Sequence, residues 1–423
     1  MRLLGRLLAV PRTSCMEEAL FAHAADAHLG SQDRIFMKEG ERTAFKELID
    51  TCIREHADFL LFSGDLFDSN VPSMNVASFA AQELKRLQEH SIPAYEIHGS
   101  HDNSPTHSSM IEVLENAGLL VNASRIVQNG DLITLEPIVD RTGVKIYGMP
   151  GLREGREKEF YEILDREKLE NEQGRKVFMF HSAISELRTG RFAKIEAIPL
   201  SYLPRNFSYY AGGHVHARSI NDLPGFGKLV YPGPLFAGWG IEDITDYSRN
   251  GGGFFLVHMS DDVKLDFVKE EPVKVVVIDK SADGLSSQEY SKELEPSEDY
   301  SGTMVVLKLH GKLKSGRVAD ISSEYLRAAY AKAGAKDVMV SRGELSGPEQ
   351  KIVRVGTVSQ LEETLMAENV KPPYKPELAR TLLEVLSREK LEGETDSDYE
   401  ERLVGEAERI IEDFLSEKKG KKK

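Results

Sequence analysis

Cysteine is nearly missing from this 423-residue chain, which has only Cys15 and Cys52. Two thiols exclude a disulfide framework. Cys52 shares a predicted helix face with Leu48, Ile49 and Ile53, the setting of a reduced core thiol in an intracellular protein. No run approaches the roughly 20 apolar residues that span a bilayer, so no membrane segment is expected. Basic residues are in deficit: 54 Lys and Arg against 69 Asp and Glu leave a net charge of -15. That argues against a nucleic-acid partner, because phosphate binding usually leaves a basic footprint. The objection is partial, since bound divalent cations cancel local charge and a basic groove can sit on an acidic protein. What is present, 40% hydrophobic and 29% charged residues, describes a globular protein, and the length predicts two or three domains.

The first residues invert this balance, with Arg2, Arg6 and Arg12 and no acid between Met1 and Cys15. A targeting peptide has this composition; so does sequence upstream of a start at Met16. Residues 1–17 are read as a disordered or mis-started extension. From Leu20 to about Leu135, predicted strands over 19–25, 59–63 and 94–97 alternate with helices over 41–55 and 73–90. This βαβ order favours a sheet covered by helices, with ligands beyond the carboxyl ends of its strands. Further strands are expected over 144–148, 177–180, 209–211, 228–231 and 254–258. The densely charged stretch 153–175 reads as a solvated helical excursion.

Near Glu270 the character changes. Strands over 273–277, 305–309 and 337–340 with a helix over 321–335 predict a small α+β domain. After Gly347-Pro348 the chain reads as helical, with a linker at Pro372-Pro373. Two amphipathic helices follow, one with Leu378, Leu382, Val385 and Leu386 on a face, the other with Tyr399, Leu403, Ala407, Ile410 and Phe414. Residues 392–398 read as the turn between them, with Ser397 and Glu400 as a capping box. Such a pair needs a third surface, the main body or a partner, to cover both apolar faces. Lys418 to Lys423 reads as a solvated tail.

The chemistry is concentrated in five clusters: Asp26-Ala27-His28, Gly64-Asp65-Leu66-Phe67-Asp68, Gly99-Ser100-His101-Asp102, His181, and Gly213-His214-Val215-His216. Each follows or ends a predicted strand, so five loops are expected to converge on one sheet edge. Alternation along an extended segment points Asp26 and His28 the same way, and likewise His214 and His216, giving pairs of metal ligands. Asp65 is placed to bridge two ions; alone it would read as a turn or helix-capping Asp. His101 reads as a proton donor or transition-state stabiliser, its tautomer held by Asp68 or Asp102. His23, His98, His107 and His258 fit the pattern less well and read as ordinary histidines. Mixed Asp and His donors without Cys favour manganese, iron or zinc over calcium.

In this order the clusters resemble the signature of the calcineurin-like metallophosphoesterase superfamily: D-x-H, G-D-x-x-D, G-N-H-D/E, H and G-H-x-H. The strings Phe180 to Glu186, Ile198 to Pro204, Tyr209 to His216 and Tyr231 to Phe236 make the chain look, over residues 18 to 260, like the archaeal Mre-eleven (meiotic recombination eleven) and SbcD nucleases. The resemblance implies an α/β sandwich of two sheets flanked by helices over 18–268, a small α+β capping and DNA-binding domain over 269–347, and a C-terminal helical partner-binding segment over 348–423.

It implies two manganese ions per subunit. One would be held by Asp26, His28, Asp65 and His216, the other by Asp65, His181, His214 and position 100. His101 would assist the leaving group and Asp68 would orient it through a side-chain hydrogen bond. Ser100 departs from the pattern, standing where an Asn is a ligand, and Asp68 stands where many of the nucleases have His. The implied activity is 3'-5' double-strand exonuclease and single-strand endonuclease action on DNA ends, in a cytoplasmic, nucleoid-associated homodimer with the Rad-fifty coiled-coil ATPase. The competing readings are a phosphatase or small phosphodiesterase on the same chemistry, and a DNA-end-binding scaffold with weak catalysis.

Overall fold

The computed structural model describes residues 18–103, 109–238, 240–348, 376–391 and 396–420. The basic N-terminal extension with Cys15, His107, the stretch after Pro348 with its Pro372-Pro373 linker, and the last lysines lie outside them, as does the side chain of Ser397. The chain divides into two units, residues 1–348 and 349–423.

In chain order the strands of the first unit are β1 (Ala19–Ala24), β2 (Phe59–Phe62), β3 (Ala94–Glu96), β4 (Val121–Asn122), β5 (Ile126–Asn129), β6 (Leu132–Leu135), β7 (Ile138–Val139), β8 (Lys145–Met149), β9 (Lys176–His181), β10 (Ala183–Ile184), β11 (Ala197–Ile198), β12 (Tyr209–Gly213), β13 (Ser219–Asp222), β14 (Lys228–Tyr231), β15 (Gly252–Met259), β16 (Val263–Glu270), β17 (Lys274–Ser281), β18 (Thr303–Lys312) and β19 (Asp337–Ser346). One six-stranded sheet has the order β16-β15-β1-β2-β3-β4, and a second has β13-β14-β12-β9-β8-β7. The centres of both are parallel, β1-β2-β3 in one and β8-β9-β12-β14 in the other.

Because side chains alternate along a strand, each central strand feeds two cores. Phe21, Phe59, Leu61 and Tyr95 of the first sheet meet Ile146, Val177, Met179 and Tyr209 of the second between the sheets. Phe21 stacks on Phe59 with ring centroids 4.7 Å apart; burying a large apolar side chain contributes about 1.5–3 kcal/mol. On the outer face of the first sheet, Ala22, Ala24, Leu60 and Phe62 receive α1 (Ile35–Arg54), α2 (Met74–Glu89) and α3 (Met110–Asn116). Cys52 sits there as a buried free thiol, pushed up to about 12 by burial. The outer face of the second sheet carries Tyr147, Phe178, Phe180, Tyr210 and Tyr231.

The stretch 153–175 differs from its sequence reading. It is helical in α4 (Glu157–Glu162) and α5 (Arg166–Asn171), but it is not a solvated excursion. Tyr161, Leu164 and Leu169 are buried against the second sheet, apolar anchors masked in the sequence by the charges between them.

After α6 (Ile241–Asn250), strands β17-β18-β19 form a separate parallel sheet. One face carries Val305, Leu307 and Leu309 under α7 (Ser287–Glu293) and α8 (Ser323–Lys332) in a core of its own, while Met304 and Val306 pack toward α6 and α1.

The second unit shows two helices, Pro376–Leu386 and Asp396–Gly420. They are joined by Tyr399 Oη donating to the Arg388 carbonyl at 2.9 Å and by an Arg388–Glu406 ion pair at 2.6 Å. Leu378, Val385 and Leu403 are buried, but Leu386, assigned from sequence to the covered face, is exposed together with Leu383 and Val404. Among the described residues no helix is long and apolar enough to cross a membrane.

Candidate metal centre

The five clusters meet, but across two sheets and not along one edge. Asp26 and His28 follow β1, Asp65 follows β2, and Ser100 and His101 follow β3, all at the carboxyl ends of the first sheet. His181 is the last residue of β9, and His214 and His216 follow β12 of the second. The loops are locked to one another by main-chain hydrogen bonds: Asp26 N to Gly64 O at 3.1 Å, His28 N to Asp65 O at 3.0 Å and Leu29 N to Leu66 O at 2.9 Å. This lacing bends the chain sharply, and Asp26, His28, Asp65 and His214 all have positive φ, at 51°, 43°, 54° and 81°. Left-handed backbone costs a non-glycine residue about 1–2 kcal/mol, so the loops hold strain where the side chains converge. At Gly213 a Cβ would stand 1.9 Å from the Ser63 carbonyl oxygen, so only glycine lets the two sheets approach this closely.

The side chains face a common space. Asp65 Oδ2 lies 3.2 Å from His181 Nε2 and 3.7 Å from His28 Nε2. His28 Nε2 faces His216 Nε2 at 3.2 Å, and His216 Nε2 is 3.9 Å from Asp26 Oδ1. Ligand atoms of Asp26, His28 and His216 fall within 4.8 Å of one another, as do those of Asp26, Asp65 and His181, and of His28, Asp65 and His101. Ser100 Oγ donates to Asp65 Oδ2 at 3.4 Å, so position 100 also points at this space. His214 donates its main-chain N–H to both Asp26 oxygens, at 3.0 and 3.1 Å, and its ring packs on His181 with centroids 5.2 Å apart.

Tautomers follow from the outer contacts. His181 Nδ1 donates to the Ser63 carbonyl at 2.8 Å, which turns the buried Nε2 toward Asp65 Oδ2, 3.2 Å away. An imidazole nitrogen so aimed beside a carboxylate, and two others nose to nose, is the donor set of a divalent cation site.

Electrostatics agree. Burial would raise the Asp65 carboxyl, but the His181, His28 and His101 imidazoles hold it well below the usual range. Burial alone would lower His181, and the Asp65 and Asp26 carboxylates instead hold it up at about 10. Asp26 is pushed up to about 6 by burial, against the pull of His181 and His216. Burial lowers His28 well below its ordinary value and takes His214 down to about 4, with His181 adding to the latter. A bound cation would displace the proton that the Asp65 and Asp26 carboxylates hold on His181.

His101 sits beside Asp68, as expected, but with a different hydrogen bond. Its Nδ1 bonds the main-chain carbonyl of Asp68 at 2.8 Å, while the Asp68 carboxylate is 3.8 Å away, beyond a hydrogen bond. Asp68 does hold the ring, but through its backbone. The buried Asp102 carboxylate accepts from the main-chain N–H groups of Leu66, Phe67 and Gly99 at 3.1–3.2 Å, pinning the Asp65 loop to the His101 loop.

One functional candidate was missed in the sequence. Asp243, on α6, places Oδ1 3.5 Å from His216 Nδ1 and 2.6 Å from Arg191 Nη2. Burial would raise its carboxyl, but the bond to His216 and the Arg191 guanidinium bring it down to about 2. It stands on a polar helix outside the strand-end clusters, and its only sequence signal is an acid at the buried edge of that helix.

The calcineurin-like phosphoesterase family profile matches residues 19–218, the stretch that holds every cluster. The chain is also similar to three proteins named "DNA double-strand break repair protein Mre11". That of Sulfurisphaera tokodaii is 30% identical over 254 residues, 59% of this chain and 62% of the relative. That of Sulfolobus acidocaldarius is 32% identical over 247 residues, 57% and 60%. That of Methanocaldococcus jannaschii is 30% identical over 283 residues, 62% of this chain and 70% of the relative. The chain belongs to the Mre11 family of calcineurin-like phosphoesterases. These matches thus span between 60% and 70% of the relatives' length. Against the superfamily signature given above, this chain brings Asp26, His28, Asp65, His101, His181 and His216 to the shared space and differs at position 100, where Ser faces Asp65.

Proposed function

We propose that the protein is a divalent-metal-dependent phosphodiesterase that cleaves DNA at double-strand breaks. The observation that carries this is Asp65 Oδ2, which faces imidazoles from both sheets at 3.2 and 3.7 Å, the position of a carboxylate shared by two ions. Asp26, His28, Asp65 and His216 would hold one cation; Asp65, His181, His214 and Ser100 would hold the other. Two manganese ions would supply Lewis acidity toward the non-bridging phosphate oxygens and activate water for in-line attack.

The chain's own groups do the rest. His181 is fixed by Ser63 and His216 is backed by Asp243, so both present Nε2 in a set direction. His101 Nδ1–H is held by the Asp68 carbonyl, leaving Nε2 as the atom that exchanges a proton with the departing sugar oxygen. The part-buried position of His101, against the full burial of the Asp26 and Asp65 carboxylates, suits a group that meets substrate.

The finer reading is 3'-5' exonuclease action on duplex DNA and endonuclease action on single strands, in a cytoplasmic, nucleoid-associated homodimer. The β17-β18-β19 module would serve as the capping and DNA-binding domain. The exposed Leu383, Leu386 and Val404 of the C-terminal helix pair support docking of the Rad-fifty ATPase there. Ser100 favours one alternative, a DNA-end-binding scaffold with weak catalysis.

The test uses the full chain with manganese, given labelled linear duplex, single-stranded DNA and p-nitrophenyl phosphate. DNA cleavage that His101→Ala abolishes while metal content is retained is the expected result. Cleavage of the monoester alone would mean a phosphatase, and DNA binding without cleavage would mean a scaffold.

A further inference from the structure

The core between the two sheets is apolar but for a few buried polar contacts, such as Tyr95 Oη to Asp140 at 2.9 Å, and one of these surrounds His23, which the sequence leaves among the ordinary histidines. His23 is fully buried on the face of β1 that carries Phe21. Its Nδ1 lies 2.8 Å from the Tyr209 hydroxyl on β12, and its Nε2 lies 3.1 Å from Ser63 Oγ just past β2. The Ser63 hydroxyl in turn donates to the Ala211 carbonyl on β12 at 3.0 Å.

One set of protons satisfies these contacts. Ser63 has one hydroxyl hydrogen and spends it on Ala211, so its oxygen accepts from His23 Nε2–H. His23 Nδ1 then accepts from Tyr209 O–H. The pattern requires a neutral imidazole, and burial provides it, taking His23 down to about 3 against an opposing main-chain hydrogen bond at Gly212. The result is a closed polar clasp that leaves the second sheet at Tyr209, crosses to the first at His23 and Ser63, and returns to the second at Ala211.

Ser63 also joins this clasp to the metal centre, because its carbonyl accepts from Nδ1 of His181 at 2.8 Å. The same oxygen is the one that a Cβ on Gly213 would strike. Apolar packing is non-directional and tolerates sliding between sheets. Hydrogen bonds fix distance and angle. We propose that His23 is a positioning residue: with Tyr209 and Ser63 it sets the sheet separation at which Asp65, carried by one sheet, and His181, carried by the other, reach the same cation.

The inference rests on the two-ion reading above, and its test separates the two. Manganese is titrated calorimetrically into the full chain and into His23→Phe, His23→Gln, Tyr209→Phe and Val257→Ala. Val257 is a fully buried apolar residue of the same inter-sheet core and contacts neither the clasp nor the centre by hydrogen bond. His23→Phe keeps a ring and removes both bonds; it should weaken one manganese event 10- to 100-fold, the size seen when groups backing a ligand are removed, and leave the other within threefold. His23→Gln retains one donor and one acceptor and should restore most of the loss. Tyr209→Phe, which deletes a single hydroxyl, stands in if His23→Phe does not fold, and should weaken the same event. Val257→Ala should lower the melting temperature without changing either event. Two wild-type-like events in folded His23→Phe or Tyr209→Phe, or equal weakening by Val257→Ala, would overturn the clasp alone. A wild-type chain that binds no manganese would overturn the metal-centre reading beneath it.

Discussion

On the Asp26 side of the centre, carboxylate and imidazole atoms of Asp26, His28 and His216 fall within 4.8 Å of one another, Asp243 backs His216, and the His214 main chain ties Asp26 down. On the His181 side, Asp65 and His181 meet at 3.2 Å, but the remaining place at position 100 is taken by a part-buried serine whose hydroxyl is 3.4 Å from Asp65. The first half is closed by strong donors that are themselves restrained. The second relies on a shorter, weaker one. Under the proposed two-ion reading, the ions sharing Asp65 would sit in unequal sites, and the centre should load in sequence, with the His181 side last.

Removing what the halves share should have the largest effect. Asp65→Ala takes a ligand from both sites and is expected to abolish both manganese events and lower DNA cleavage by at least about 10³-fold, measured by calorimetry and single-turnover assay. His101→Ala leaves every ligand in place, so cleavage should fall by about 10²–10⁴-fold with metal content unchanged; loss of metal in that variant would make His101 a ligand. Asp243→Ala should weaken the Asp26-side event by about 10- to 100-fold and spare the other. Equal weakening of both would erase the proposed asymmetry. Ser100→Asn should do the reverse, tightening the weaker event on the order of tenfold by supplying an amide oxygen.

The smallest effect is on acid stability. His23 titrates at about 3 in the fold against an ordinary value of 6.5, because of burial. The unfolded chain therefore binds the extra proton between those values, and this contribution to stability is lost as pH falls from 6.5 toward 3, by up to about 1.4 kcal/mol per unit. Asp102 and Glu41, both raised to about 7 by burial, act with the opposite sign: the stability they add when protonated is lost as pH rises from the ordinary carboxylate range toward 7. Thermal melts of His23→Phe between pH 6.5 and 4 should show a shallower acid decline than the wild type, and a parallel decline would contradict the assignment.

Much of this was legible in the chain. The central strands β1, β2, β3, β9, β12 and β14 are short apolar runs, and all five clusters were found because each follows one. Three things escaped for physical reasons. The clusters come from two sheets because strand order is set by long-range pairing that no local pattern encodes. His101 is held by the carbonyl of Asp68 and not its carboxylate, and a main-chain acceptor leaves no mark on residue identity. Asp243 works from a helix, and a search for ligands at strand ends passes over it. Tyr161, Leu164 and Leu169 show the same limit in packing, since a charge-rich stretch can be anchored by a few apolar side chains.

The left-handed backbone at Asp26, His28, Asp65 and His214 sets selection for durability against selection for chemistry. Glycine and asparagine occupy that conformation with less strain. A saturation library sorted only for heat resistance should therefore enrich Gly and Asn at these positions and discard the donors, while a library sorted for turnover keeps the strained residues.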